Sequence, residues 1–257
     1  MCGIAATCHY ARRGPVDRDQ LRTLRDGMRA RGPDDDGLWV SEDERVGLAH
    51  RRLSIIDLSP RGAQPMVNGD GSLRVVYNGE IYNYQALRDD LEARGYAFQS
   101  DSDTELLLHL YAEKGRDMTE DLRGMYAFAL WDANRGGLFC ARDPYGIKPL
   151  YVADTGVTFH VASQVRALRE IEDVDTGKNS AGHVGYFLWP RAGTAHALRR
   201  HPGRARRPHA LGRRAGRSEG AVCRHSGGAC GGRFLRAGRV CLNKRSADER
   251  GRPGGRP

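Results

Sequence analysis

The 257-residue chain has no apolar run of membrane-spanning length, and its N-terminus lacks the apolar stretch of a signal peptide. A soluble, cytoplasmic protein is therefore expected. Paired cysteine spacings are missing as well. Of the six cysteines, Cys2, Cys8 and Cys140 are scattered through the first 189 residues and the others lie beyond. That pattern excludes a disulfide framework or a zinc site and fits a reducing compartment.

Acidic residues are scarce in the last quarter of the chain. Residues 190–257 carry 17 arginines, one lysine and three acids, a net of +15. Residues 1–189 keep 23 basic and 29 acidic side chains, a net of −6, so the overall +9 hides a mildly acidic body. Such a body gives no reason to expect nucleic acid. The tail, typified by Arg204-Ala205-Arg206-Arg207-Pro208-His209, cannot bury enough apolar surface to offset its ordering entropy and is expected to be disordered. As a true basic arm it would contact phosphates. Its Arg/Gly/Ala/Pro vocabulary and its abrupt onset after Trp189, without a linker, fit a GC-rich gene read out of frame, which is the preferred reading.

Residues 1–189 have the size of one ordinary domain. Strands are expected at Gly3–Tyr10, Leu38–Val40, Val46–Ala49, Leu73–Tyr77, Tyr126–Trp131, Leu138–Ala141 and Val157–Val161. Helical periodicity covers Asp17–Arg29, stopped by Gly32-Pro33, and then Tyr84–Arg94, Asp103–Lys114 and a last helix from Val165. Strands in two groups with helices between them imply a layered α+β domain rather than repeated βαβ units.

The chain opens Met1-Cys2-Gly3-Ile4, so removing one methionine leaves cysteine at the N-terminus. A free α-amine titrates at about 7.7–8.0 and a thiol at about 8.5, so proton transfer between the two groups of such a residue is nearly thermoneutral. N-terminal threonine enzymes use the same pairing of nucleophile and base. Taken alone, the opening hexapeptide favours Cys2 as a small buried residue of a first strand, and only the segments downstream shift that reading.

Further segments align with it: Arg31-Gly32-Pro33-Asp34; His50-Arg51-Arg52-Leu53-Ser54-Ile55-Ile56-Asp57; Gly62-Ala63-Gln64-Pro65-Met66; Tyr77-Asn78-Gly79-Glu80-Ile81-Tyr82-Asn83; Ser102-Asp103-Thr104-Glu105; Gly124-Met125-Tyr126-Ala127-Phe128-Ala129; and Ala141-Arg142-Asp143-Pro144-Tyr145-Gly146-Ile147-Lys148-Pro149-Leu150. In this order they make residues 1–189 resemble the glutaminase domain of class II, N-terminal-nucleophile amidotransferases, most closely that of glutamine-hydrolysing asparagine synthetases. The resemblance implies a four-layer αββα sandwich of two antiparallel sheets. It also implies L-glutamine as substrate, Cys2 as nucleophile with its own amine as base, and Asn78 and Gly79 as donors to the oxyanion. Arg52 would hold the substrate carboxylate, with Arg51 offering the same chemistry one residue earlier, and Glu80 and Asp103 would hold the ammonium. Asp34, His50 and Tyr82 take supporting roles. Bland alternatives exist for each: Asn78 as a strand-end cap, Gly79 as a turn, an arginine in a surface ion pair, Ser102 or Asp103 as a helix cap.

Two positions depart from the family pattern. Ala30 stands where a histidine is usual, and Gln164 where a glutamate is usual. The glutaminase reaction needs no cofactor, whereas full-length relatives add an ATP- and magnesium-dependent synthetase domain. Its Ser-Gly-Gly-x-Asp-Ser signature is matched only by Ser226-Gly227-Gly228-Ala229-Cys230, without the Asp-Ser and with no strand expected before it or helix after it. Glutamine hydrolysis alone is thus expected of this chain, within an asparagine-forming family. The alternatives are a glutaminase subunit serving a synthetase in trans, or a nucleic-acid-binding protein acting through its tail.

Overall fold

The computed structural model describes residues 1–12, 14–54, 62–176, 219–224 and 240–241. Ile55-Ile56-Asp57, Trp189 and Ser226–Cys230 lie outside the described residues.

The chain begins with β1 (Gly3–His9), α1 (Arg18–Asp26), β2 (Asp35–Val40) and β3 (Val46–Arg52). β4 (Met66–Val67), β5 (Leu73–Ile81), α2 (Tyr84–Ala93) and α3 (Asp103–Lys114) follow. Then come β6 (Gly124–Asp132), β7 (Gly137–Arg142), β8 (Tyr151–Asp154), β9 (Thr158–Ala162) and α4 (Val165–Arg169), with β10 (Glu219–Arg224) and β11 (Val240–Cys241) last. One sheet runs β2-β3-β1-β9-β8 and is antiparallel throughout. The other runs β11-β10-β7-β6-β5-β4, antiparallel except between β10 and β11.

Side-chain alternation divides each strand between two layers. On β1, Ile4, Ala6 and Cys8 join Leu48 of β3, Val76 of β5, Ala127 and Ala129 of β6 and Cys140 of β7 in one apolar layer between the sheets. The opposite face of the first sheet, with Ala5, Ala49 and Ala162, packs on Leu21 and Leu24 of α1 and Ala167 and Leu168 of α4. The outer face of the second sheet, with Val75, Tyr77 and Phe128, packs on Leu91 of α2 and Leu106, Leu107 and Leu110 of α3. The result is the expected α+β sandwich with layers in the order αββα.

Local signals explain most element ends. The Asp17 side chain accepts from the Asp19 and Gln20 N–H groups at the start of α1, and Ser102 accepts from the Thr104 N–H at the start of α3. The first helix is shorter than its periodicity suggests. It ends at Asp26, and i→i+3 bonds from Met28, Arg29 and Arg31 carry the chain on as turns, while Met28 stays buried. β4 and β8 have too few residues for period 2 to reveal them.

Within residues 190–257 two short strands are described. Glu219–Arg224 forms β10 against β7, in register Ala221 to Cys140, and Val240–Cys241 pairs with β10. A strand therefore does precede Ser226. Main-chain pairing to an open sheet edge requires no apolar periodicity in the added strand, so the composition of the tail did not reveal it.

Two buried histidines couple this fold to pH. Burial pushes His50 of β3 and His160 of β9 down to about 3, far below the usual 6.5 of an unfolded histidine. The unfolded chain therefore binds more protons between those values. Stability is full above about pH 6.5 and falls on acidification at up to roughly 1.4 kcal/mol per pH unit for each ring. Urea unfolding at pH 7, 5.5 and 4.5 should show this loss, and His160→Asn should make it shallower. Equal slopes in the two proteins would contradict the assignment.

Candidate functional site

The inter-sheet apolar layer gives way to polar residues at one end. One step beyond Ile4, on the same face of β1, is Cys2, which is part-buried. On β3 the face that carries Leu48 continues to His50 and Arg52, both buried. On β5 the face that carries Val76 continues to Asn78, which is buried, and Glu80, which is exposed. The register Gly3 to Arg51 brings the start of β1 to the end of β3. Strand alternation thus points Cys2, Arg52, Asn78 and Glu80 into the same end of one layer.

Cys2 is held from two sides. The Leu53 N–H donates to its Sγ at 3.4 Å, and Sγ lies 3.8 Å from the Leu53 carbonyl oxygen. Arg31 donates from Nε to the Cys2 carbonyl at 3.0 Å, and burial lowers the pKa of that guanidinium. Met1 is exposed. The turn after Arg31 lies directly on β3, where a Cβ on Gly32 would sit 2.4 Å from the Arg51 carbonyl carbon. Asp34 then accepts from the Ser54 N–H at 2.8 Å and donates its own N–H to the Arg52 carbonyl at 3.1 Å. The Arg-Gly-Pro-Asp segment is a brace for the chain around Cys2.

Adjacent arginines part company by alternation. Arg51 faces the helical layer with Ala49, and it pairs with Asp26 at 2.9 Å and Asp36 at 3.3 Å. Arg52 faces the second sheet, with Asp35 3.9 Å from its guanidinium. Only Arg52 shares the face of β3 that carries Leu48 and turns toward the second sheet.

Asn78 is 2% exposed and its side-chain nitrogen has no hydrogen-bond partner among the described residues. A buried amide donor left unpaired costs roughly 1–3 kcal/mol, so its retention marks a place where a ligand oxygen would be accepted. The Leu73, Tyr77 and Ile81 N–H groups of β5 all point to the edge away from β6, reaching Asn68 Oδ1, Gln64 Oε1 and Asp103 Oδ2. By the same alternation the Gly79 N–H points to that edge. Gly79 lies within β5 rather than in a turn, and packing leaves no room for a side chain there. A Cβ there would lie 2.5 Å from the Met125 carbonyl oxygen and 2.7 Å from the Tyr126 Cα of β6.

Asp103 is the first residue of α3, and the capping is done by Ser102. That leaves Asp103 free of the capping role. Its Oδ2 accepts from the Tyr77 hydroxyl at 2.7 Å and the Ile81 N–H at 3.2 Å. Burial raises its pKa against the opposing pull of those bonds, and burial with Asp103 beside it pushes Tyr77 well above the usual tyrosine range. Glu80 and Asp103 lie on different sides of β5, and the Glu80 charge adds to the upward push on the Asp103 pKa. Among the described residues no group of three histidine, cysteine or acidic side chains is disposed to hold a metal, and no helix is long and apolar enough to cross a membrane. Sequence reasoning gave no role to Arg31, the Leu53 N–H, Gln64 or Tyr77, because each acts through a contact with residues distant along the chain.

Comparison with known proteins adds a second line. Residues 1–201 match the family described as the glutamine amidotransferase domain. This chain belongs to that family. The match to the glutamine amidotransferase domain runs past the compositional break at Trp189. Asparagine synthetase [glutamine-hydrolyzing] 1 of Bacillus subtilis is 38% identical over 209 residues, covering 79% of this chain and 33% of that protein. Asparagine synthetase B [glutamine-hydrolyzing] of Escherichia coli is 42% identical over 171 residues, covering 65% and 29%. Amidase chry2 of Gibberella zeae is 41% identical over 176 residues, covering 65% and 26%. The chain spans about a third or less of the length of these relatives. Among solved structures, glutamine phosphoribosylpyrophosphate amidotransferase from B. subtilis superposes with a TM-score of 0.55 at 22% identity, covering 65% of this chain and 43% of that one. That likeness supports the αββα fold.

The close approach at Gly79 is open to test. Gly79→Ala forces a methyl group against β6, and an overpacked site of this kind costs about 1–3 kcal/mol. Chemical denaturation should show a lower midpoint with the same slope, and an unchanged midpoint would contradict the packing.

Proposed function

We propose that the domain hydrolyses the side-chain amide of L-glutamine, with Cys2 as nucleophile once Met1 has been removed. The observation that carries this reading is the convergence of Cys2, Arg52, Asn78 and Glu80 on one end of the inter-sheet layer, with a buried amide donor at Asn78 lacking a partner.

In this scheme the Cys2 amine takes the thiol proton while Sγ adds to the amide carbon, and the carbonyl oxygen becomes an oxyanion. The Asn78 amide and the Gly79 N–H donate to that oxygen, each worth roughly 2.7–4 kcal/mol in the transition state when it is in place beforehand. The amine then returns the proton to the departing nitrogen. Ammonia leaves, and a thioester between Cys2 and the glutamyl chain remains. Water, deprotonated by the same amine, adds to the thioester. Collapse releases glutamate and restores the thiol.

In this scheme Arg52 holds the substrate carboxylate, where its planar fork gives two parallel hydrogen bonds. Glu80 and Asp103 hold the ammonium. The burial that raises the Asp103 pKa moves the acid limb of glutamine binding to higher pH, because the protonated acid no longer attracts the cation. The hydrolysis itself uses no cofactor. The ammonia would serve an ATP- and magnesium-dependent synthetase, either in a longer polypeptide or as a separate subunit. Asparagine is the product favoured by the identity to the two asparagine synthetases.

The arginine assignment separates this scheme from a merely structural reading. Arg52→Ala should raise KM for glutamine by roughly 10- to 100-fold, the range expected from loss of a charge-assisted bidentate contact of about 1.5–3 kcal/mol. Arg51→Ala should change KM little and lower stability slightly, since its partners are partly exposed acids. Steady-state glutamate release checks both. Equal effects from the two substitutions would remove Arg52 from substrate binding.

A further inference from the structure

We infer that Tyr77 is a positioning residue for the substrate ammonium: its ring is seated over Gly79 and its hydroxyl holds the Asp103 carboxylate in place. This rests on the glutaminase reading above, in which Asp103 binds that ammonium.

Tyr77, Gly79 and Ile81 follow one another on one face of β5. That face also carries Val75 and packs against α3. Gly79 has no Cβ, and one added there would fall 2.7 Å from Tyr77 Cε2. The ring therefore leans along the strand across Gly79, toward Ile81. At its far end the hydroxyl donates to Asp103 Oδ2 at 2.7 Å, and the Ile81 N–H donates to the same oxygen at 3.2 Å. Two donors on one oxygen fix the plane of the carboxylate. An ionised carboxylate has about four lone-pair sites, so it can accept an ammonium as well.

The electrostatics of the pair require the hydroxyl. Tyr77 and Asp103 are 3% and 7% exposed, and burial alone drives an acid toward its neutral form. Glu80 pushes Asp103 the same way, while the Tyr77 and Ile81 bonds oppose both. Burial, Asp103, Glu80 and Cys2 all hold the Tyr77 hydroxyl well above the usual tyrosine range, so it remains a donor at any working pH. Glu105, the next acid of α3, is already taken by the Gln99 and Ser100 N–H groups at 2.8 and 2.7 Å. Of the two donors to Asp103, Ile81 uses its main chain. Tyr77 is the one whose side chain keeps the acid ionised and able to attract a cation.

Tyr77→Phe removes the hydroxyl and keeps the ring over Gly79. In the full chain with Met1 removed, it should raise KM for glutamine roughly 3- to 30-fold, part of the worth of a hydrogen bond to a charged acceptor. Over the same series kcat should stay within about threefold. The acid limb of kcat/KM should move to higher pH, because the free acid then holds its proton more tightly. Asp103→Asn abolishes the charge, so adding Tyr77→Phe to it should change KM by less than about twofold and produce no further shift of the limb. A hydroxyl that only packs would instead lower the urea midpoint in both backgrounds and leave KM and the limb where they are. That result, or equal effects of Tyr77→Phe on KM with and without the Asp103 charge, would overturn the positioning role and leave the glutaminase reading standing. If the unsubstituted chain releases no glutamate at any pH, that reading falls and the positioning role falls with it.

Discussion

The apolar layer between the two sheets is the constraint on which the site depends. Its small and branched residues, Ile4, Ala6, Leu48, Val76, Ala127 and Ala129, hold the sheets face to face, and period-2 alternation commits every second residue of each strand to that layer. Where the apolar residues run out, the same faces deliver Cys2, His50, Arg52, Asn78 and Glu80. A one-residue slip of β1, β3 or β5 would turn these side chains out of the gap and send their neighbours in. The register that builds the core is therefore also the register that builds the site.

Around that frame, the polar end is kept in place by contacts that are individually modest. Arg31 and the Leu53 main chain bracket Cys2, Asp34 ties the start of β2 to the end of β3, and Gln64 accepts the Tyr77 N–H at the edge of β5. On the second sheet, Asp143 plays a comparable part, accepting from the Tyr145, Ile147 and Lys148 N–H groups to close the loop after β7. Glycines admit the closest approaches, at Gly32 on β3, Gly37 on the Gln64 segment and Gly79 on β6. These positions explain why the motifs that look like turns in the sequence sit in buried or half-buried places.

Much of this was legible beforehand, for definite reasons. Alternation and helical period locate β1, β3, β5, β6, α2 and α3, and the order of motifs singles out Cys2, Arg52, Asn78, Gly79, Glu80 and Asp103. What a linear reading could not supply is anything set by distance across the sandwich. The cap of α3 proved to be Ser102, with Asp103 turned instead to Tyr77 and Ile81. Gly79 is small because of β6, which is 45 residues or more further on. β10 joins an edge by its main chain, which leaves no side-chain pattern to read.

The central claim is chemical: the α-amine of Cys2, freed by loss of Met1, is the base that serves its own thiol. The most direct test compares two preparations of the full chain by intact mass and by glutamate release, one with the initiator removed and one with it retained. Full turnover in the processed protein and none in the Met1-bearing form is the predicted result. Equal turnover in a preparation whose mass shows Met1 still attached would contradict the account.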